Sequence, residues 1–184
     1  MDDRGAAREM TQQLIGLGHR DIAFIQGNPT HHAAAQRLQG FVAAMKEAGL
    51  EASESRTLQG DFTFRSGLDA ADRLLSAPDR PTAIFAANDE MALAVLVAAM
   101  RNGIVVPEQL SIAGFDDAPI SRMAWPQLTT VRQPNADMAI TAVDMLVRMQ
   151  GRASDATAEA CQLPHALIMR ASTAAPAARS SSAE

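Results

Sequence analysis

The sequence predicts an α/β protein of three layers, in which helices cover both faces of a doubly wound, mostly parallel sheet. Short apolar runs alternate with longer stretches of helical periodicity, and glycines close most of the helical stretches. Strands buried on both faces appear as continuous apolar runs, and strand-helix alternation is typical of parallel sheets. At 184 residues and 47% hydrophobic content, the chain suffices for one well-buried domain.

The first third of the chain predicts two helices and two strands. They are a helix over 6–17, a strand over 22–25, a helix over 33–48 and a weak strand over 56–59. Met10 and Leu14 lie on one stripe of the first helix. Gly18 and Gly49 follow the two helices, and glycine is the usual residue at a left-handed helix C-terminus.

The rest of the chain continues the alternation. It predicts a helix that ends before Pro78, a strand over 83–87, a helix over 90–102, a strand over 110–115, an apolar segment over 128–134, a helix over 136–150 and a strand over 166–169. Asp61 or Thr63 caps the first of these helices, and Asn88 or Asp89 caps the second.

Polar residues follow two of the predicted strands. Asp116 and Asp117 come after one, and Asn88 and Asp89 come after another. Ligands of open α/β sheets bind beyond the carboxyl ends of the strands, where an acidic pair suits hydroxyls or amines. We expect Asp116 to face a ligand and Asp117 to form the turn. One residue of the other pair caps a helix, which leaves the other free for a ligand.

Other candidate residues lie in the loops and at one helix start. Arg37 is near the N-terminal end of its helix, and the pattern alone fits a surface charge or a ligand contact equally. Phe62 and Phe64 form an unusual aromatic pair in a polar loop, so one packs on the core and the other stacks on a ligand. The adjacent His31 and His32 fit a solvated loop better than a metal site.

Charge and composition exclude several classes of function. The net charge of −5 and the 16 scattered Lys and Arg residues argue against direct nucleic-acid binding. The single cysteine, Cys161, excludes an internal disulfide and fits a reducing compartment. The first residues lack a signal peptide, and no run approaches the roughly 20 apolar residues that span a membrane. These features predict a cytoplasmic protein without a membrane partner.

Enzyme signatures are absent from the sequence. It has no glycine-rich phosphate loop, no nucleophile elbow and no metal-binding His or Cys spacing, so we predict no catalytic residue, metal or cofactor. An enzyme that uses Asp89 and Asp116 as acid and base remains an alternative. It would need a nucleophile or a metal that the sequence does not offer.

A series of collinear motifs resembles the effector domain of the lactose-repressor and galactose-repressor (LacI/GalR) family. The motifs are Asp3–Ala6, Leu17–Ile25, Arg37–Phe41, Gly60–Phe62, Arg80–Asp89, Val106–Pro107, Gly114–Asp117, Leu128–Pro134 and Arg170–Thr173. The resemblance implies the C-terminal lobe of a type I periplasmic-binding-protein-like fold. It also implies a bacterial transcription regulator that senses a sugar, a nucleoside or a related metabolite.

The resemblance assigns roles to five residues. Arg37 and Asp116 resemble the family's ligand-gripping arginine and carboxylate, Phe62 the aromatic that flanks the ligand, Asn88 a strand-end amide, and Gln133 a glutamine at the crossover between lobes. The sequence departs from the family at position 33, where an alanine replaces the common serine.

The resemblance also implies a division of the chain, with the DNA-binding headpiece and most of the N-terminal lobe absent. Residues 1–173 form a partial effector-binding domain, made of a lobe (about 6–131 and 160–173) and a crossover with a helix (about 132–151). Residues 174–184 are predicted to be a disordered tail. In the family that helix packs on the N-terminal lobe, so we expect its apolar stripe to lie against another copy of the chain or to fold back onto this lobe.

Two regulatory or transport functions follow from the resemblance. The first is the effector-binding and dimerisation portion of a LacI-type regulator, which forms a homodimer and reaches operator DNA only through its headpiece. The alternative is a periplasmic sugar-binding protein of an ABC transporter. The missing signal sequence and the stretch from Gly114 to Pro134 disfavour that alternative.

Overall fold

The computed structural model describes residues 1–150 and 160–177 and contains a six-stranded sheet. The strands are β1 (Ile22–Ile25), β2 (Thr57–Leu58), β3 (Ala83–Ala86), β4 (Ser111–Asp116), β5 (Thr129–Arg132) and β6 (Ala166–Ile168). Their spatial order is β2-β1-β3-β4-β5-β6, with β1 to β5 parallel and β6 antiparallel to β5. The predicted mostly parallel α/β fold is confirmed.

The described residues also form six helices, four of which make two packed pairs. They are α1 (Asp3–Gly16), α2 (His32–Glu47), α3 (Phe64–Leu75), α4 (Asp89–Arg101), α5 (Pro119–Met123) and α6 (Asn135–Gln150). Helix α1 packs on α2, and α3 packs on α4. No helix in the described ranges combines the length and hydropathy needed to cross a membrane.

The core lies between the sheet and the helix pairs. Phe24 on β1 stacks on Phe41 of α2 at 4.9 Å between ring centroids and meets Phe85 of β3 edge-on at 5.2 Å. All three rings are fully buried, and offset or edge-on pairs of this kind are the favoured aromatic geometries. Strands β1 and β3 are buried at every position, as their continuous apolar sequences predict.

The C-terminal segment is anchored to the lobe through His19. The Nε2 of His19 donates to the carbonyl of Ala174 at 2.9 Å, and the Ser111 hydroxyl donates to the same carbonyl. Ala174, the first residue of the predicted tail (174–184), is therefore bonded to the lobe. Residues 178–184 of that tail lie outside the described residues.

Helix α6 leaves the sheet after β5 with its apolar residues exposed. Ile140, Val143, Leu146 and Val147 are each between 58% and 64% exposed. Folding back onto this lobe, one of the two predicted arrangements, is therefore wrong. Burial of this stripe against another copy stays a prediction.

Candidate functional site

Two consecutive aspartates at the end of β4 form the centre of the site. Asp116 and Asp117 both adopt positive backbone φ angles, 118° and 54°, which few residue types other than glycine and short polar ones tolerate. Gly114, two residues earlier, has no room for a side chain, because an added Cβ would lie 2.3 Å from a carboxylate oxygen of Asp89. The strand end is thus closely packed, and its turn sends the two carboxylates to different partners.

The Asp116 carboxylate lies between an arginine and a glutamine. Its Oδ1 accepts a hydrogen bond from Gln133 Nε2 at 2.5 Å and lies 3.5 Å from Arg37 Nη1. Burial raises the pKa of Asp116 above its usual range, Arg37 and Gln133 oppose that shift, and the nearby charge of Asp3 adds to it. The Oδ2 oxygen of Asp116 has no hydrogen-bond partner among residues 1–150 and 160–177.

Arg37 is held by α1, by the end of β3 and by an aromatic ring. Its Nε donates to Asp3 Oδ1 at 2.9 Å, and its Nη1 donates to the carbonyl of Ala87 at 2.6 Å. The guanidinium lies over the ring of Phe115, with 3.7 Å between Cζ and the ring centroid. Within the described part of the chain, the Nη2 group of Arg37 has no partner. The free Nη2 and the free Asp116 Oδ2 therefore form a donor and an acceptor on the two sides of one ion pair.

Phe62 forms an aromatic wall beside this pair. Its ring centroid lies 5.8 Å from the Arg37 Cζ atom and 5.7 Å from the His31 ring. The ring covers Gly27, where an added Cβ would come within 2.0 Å of it. Phe62 has a φ of 75°, and Asn88 Nδ2 donates to its carbonyl at 2.8 Å. The loop that presents this ring is therefore fixed by Asn88, which lies shortly after the end of β3.

Asn88 and Asp89 have separate roles. Asn88 caps α4, because its Oδ1 accepts from the Met91 amide at 3.0 Å. Asp89 is almost fully buried and accepts from the Thr130 hydroxyl at 2.6 Å and from the Ala118 amide at 2.8 Å. Burial raises the pKa of Asp89 to about 7, although these two hydrogen bonds oppose the shift. The expectation that the residue which does not cap is free for a ligand is therefore wrong for Asp89.

Asp117 forms an ion-pair hub with Arg122, Arg132 and Arg170. Arg132 Nε donates to its Oδ2 at 2.7 Å, Arg122 Nη2 donates to the same oxygen at 3.0 Å, and Arg170 Nη2 donates to Oδ1. Burial alone would raise the pKa of Asp117, but the three arginines hold it well below its usual range. Asp117 thus lies in the turn, as predicted, and its carboxylate is committed to the protein.

The structure brings most of the predicted site residues together. Arg37, Asp116 and Gln133 are directly connected, Phe62 lies beside Arg37, and Asn88 contacts Phe62 through the protein backbone. Sequence reasoning missed Asp3 as part of this site. Asp3 stands in a motif at the start of the chain, but neither periodicity nor a strand end marks it as a neighbour of Arg37.

Metal binding has no support in the described residues. No group of three or more His, Cys, Asp or Glu side chains is arranged there to hold a metal ion. His31 and His32 are exposed at the start of α2, and the His31 ring faces Phe62. The site consists of a buried ion pair, an amide and an aromatic ring.

Comparisons with known proteins assign the chain to a family. Residues 11–173 match the family described as periplasmic binding protein-like domain. Catabolite control protein A of Priestia megaterium is 39% identical over 176 residues, which cover 94% of this chain and 52% of that protein. The chain therefore spans about half the length of this curated relative.

The fold of this chain is also similar to solved structures of LacI-family transcriptional regulators. A LacI transcriptional regulator from Bacillus cereus subsp. cytotoxis NVH 391-98 superposes with a TM-score of 0.89 at 35% identity, covering 95% of this chain and 61% of that one. The transcriptional regulator CelR in complex with cellobiose superposes with a TM-score of 0.80 at 38% identity, covering 94% and 52%. Both of these structures are of transcriptional regulators. The chain belongs to the periplasmic binding protein-like domain family and, within it, to the domains carried by LacI-family transcriptional regulators.

Proposed function

We propose that this chain is the effector-binding and dimerisation portion of a LacI-type bacterial transcriptional regulator. The observation that carries the proposal is the Arg37–Asp116 pair, which keeps one donor and one acceptor unused at the carboxyl end of the sheet. Parallel α/β sheets bind their ligands at this edge. The effector is a sugar, a nucleoside or a related small metabolite.

The geometry supports a contact in which a ligand hydroxyl uses both halves of the pair. A hydroxyl accepts a hydrogen bond from Arg37 Nη2 and donates one to Asp116 Oδ2. The Phe62 ring offers an apolar surface for a sugar ring or a base, which suits binding pockets that combine aromatic walls with few polar groups. Gln133 adds an amide at the other side of Asp116. Asn88 contributes by fixing the Phe62 loop, because its Nδ2 group donates to the Phe62 carbonyl.

The function we propose is binding, with no catalytic step, cofactor or metal. Effector binding at this lobe and at a second lobe shifts the regulator between two conformations, and this changes how the DNA-binding heads are spaced. Operator DNA is contacted only through a separate headpiece, since this chain is acidic. Such a regulator acts in the cytoplasm.

The dimerisation part of the proposal is supported by an exposed apolar site on the lobe itself. Met123 and Trp125, at the end of α5 and just after it, are 82% and 85% exposed. They stand two residues apart in the chain, and clustered exposed apolar side chains mark protein interaction sites. A homodimer is also the commonest symmetric assembly.

A ligand titration monitored by NMR tests the binding proposal. Free sugars and nucleosides at millimolar concentration are added to the isotope-labelled chain, because one lobe alone is expected to bind weakly. We expect at least one of these compounds to shift the Arg37 Nε–H and Phe62 amide signals. Asp116→Ala should abolish the shift, whereas Asp69→Ala, which alters an exposed ion pair on α3, should preserve it. An undiminished response in Asp116→Ala would remove Asp116 from the site.

A further inference from the structure

We infer that Asp3 sets the charge class of the ligand: it neutralises Arg37, so that the site takes an uncharged polyhydroxylated molecule and rejects an anion such as a sugar phosphate or a sugar acid. The inference rests on the proposed function for the position of the binding site. It adds the class of ligand and a residue that determines this class.

The first support is the local charge. Arg37 is almost completely buried and contacts two carboxylates, Asp3 at 2.9 Å and Asp116 at 3.5 Å. One positive and two negative groups leave one negative charge at the point where a ligand would bind. The hub of Arg122, Arg132, Arg170 and Asp117 carries two positive charges more than negative ones, but none of its arginines forms an ion pair with Asp3 or Asp116 in the described residues. At contact range, an anion placed against Arg37 would therefore meet two carboxylates and one guanidinium, and repulsion between close charges is strong where burial limits screening by water.

The second support is the direction of the arginine donors. Arginine grips carboxylates and phosphates with two parallel N–H groups from one edge of the guanidinium. In Arg37, Nε is bonded to Asp3, and Nη1 is bonded to the Ala87 carbonyl and faces Asp116. Nη2 can form a pair of parallel donors only with Nε or with Nη1, and both of these nitrogens are already bonded. Among the residues that the structure describes, Arg37 therefore keeps one donor nitrogen without a partner, which suits a hydroxyl oxygen better than an anion that needs two parallel donors.

The third support is the mutual effect of the two carboxylates. Burial raises the pKa of Asp116 most, and the charge of Asp3 raises it a little further because the two carboxylates repel each other across Arg37. Another negative group would add to this repulsion. An uncharged hydroxyl adds none and satisfies both Arg37 Nη2 and Asp116 Oδ2. A cationic ligand, in turn, would be repelled by the positively charged Nη2 group of Arg37.

Asp3→Asn is the decisive variant. Its side-chain oxygen still accepts from Arg37 Nε while the charge is removed, and Asp2 remains as the cap of α1. The probes are inorganic phosphate and glucose 6-phosphate, compared with glucose and cellobiose at constant ionic strength. Binding is read from the Arg37 Nε–H signal of the 184-residue chain. Asp69→Asn, which removes the same charge from an exposed ion pair, is the control.

We expect the phosphates to bind Asp3→Asn at least about ten-fold more tightly than the wild type, and Asp69→Asn to match the wild type. Equal phosphate binding by Asp3→Asn and the wild type would overturn the inference. Phosphate binding by the wild type as tight as its binding of the free sugars would also overturn it. If no free sugar or nucleoside binds while Asp3→Asn still gains phosphate binding, the role of Asp3 stands and the proposed effector fails. Asp3→Ala repeats the test if the asparagine variant unfolds.

Discussion

At the scale of single residues, Asp116 and Asp117 show how one turn separates binding from structure. They are adjacent, yet the pKa of Asp116 is raised by burial, whereas three arginines lower that of Asp117. The difference follows from their positive φ angles, which direct the two side chains to different neighbours. Asp116 keeps a free oxygen for a ligand, and Asp117 has its two oxygens committed to the fold.

His19 predicts a loss of stability in mild acid. Burial lowers its pKa below 6.5 although the Ala174 carbonyl opposes the shift, so the folded chain holds the ring neutral. Below pH 6.5 the unfolded chain binds more protons than the folded one, so the free energy of unfolding decreases as the pH is lowered. Each pKa unit by which folding lowers the pKa of His19 reduces the free energy of unfolding in acid by about 1.4 kcal/mol. Urea unfolding of the wild type and of His19→Asn between pH 7.5 and 5.5 measures this slope.

We expect the contribution of His19 to this slope to disappear in His19→Asn. His32→Asn is the control, because that imidazole is exposed on α2. A slope that is the same in the wild type and in His19→Asn would show that His19 is not the group responsible.

Asp89 predicts the opposite pH dependence. Its pKa of about 7 in the folded chain exceeds the ordinary value of 3.8, so the folded chain binds more protons between these values. Its contribution to stability is therefore complete below pH 4 and is lost as the pH rises through about 7. The shift corresponds to roughly 4 kcal/mol at most. Asp89→Asn should remove this dependence in urea unfolding at pH 5 and pH 8, and an unchanged dependence would contradict it.

At the scale of elements, strands and long helices were predictable, and short or partner-dependent elements were not. Strand β1 agrees with its prediction at both ends, because four consecutive apolar residues followed by Gln26 and Gly27 have few alternatives. Helix α5 was not predicted, because five residues contain little more than one turn and show no periodicity. In the same way Asp3 escaped prediction, since it meets Arg37 only through the packing of α1 on α2.

The exposed stripe of α6 predicts self-association of the chain. Val143 and Leu146 are 58% and 62% exposed and would be buried if two copies met there. Val143→Lys with Leu146→Lys should lower the association measured by light scattering. The unfolding midpoint should hardly change, because exposed positions affect stability by about 0.5 kcal/mol or less. A wild-type chain that remains monomeric at high concentration would contradict this prediction.

At the scale of the whole molecule, the Asp117 hub connects parts of the chain that are distant in sequence. Arg122 lies in α5, Arg132 is the last residue of β5, and Arg170 comes shortly after β6. Arg170 also donates to the Leu128 carbonyl and to the Ser121 hydroxyl. The Asp117 carboxylate therefore connects the end of β5 to the segment that follows the edge strand β6.

Loss of the Asp117 charge should destabilise the lobe as a unit. Asp117→Asn keeps a residue that tolerates the left-handed conformation but leaves the nearly buried Arg170 without a charged partner. We expect a loss of about 3 kcal/mol in urea unfolding, the order observed when one partner of a buried ion pair is removed. Asp69→Asn, in an exposed pair, should cost less than about 1 kcal/mol. A loss of similar size in both variants would contradict the role of the hub.

The antiparallel pairing of β5 with β6 has a consequence for engineering. Arg132 lies opposite Ala166, so the chain departs and returns at adjacent positions on the same edge of the sheet. Replacing residues 133–165 with a two-residue turn such as Asn-Gly would convert this excursion into a β-hairpin. The shortened chain would keep the Asp117 hub and lose Gln133 and α6. It should fold as a miniature single-lobe scaffold, in which Arg37 and Asp116 can be redesigned without a second lobe.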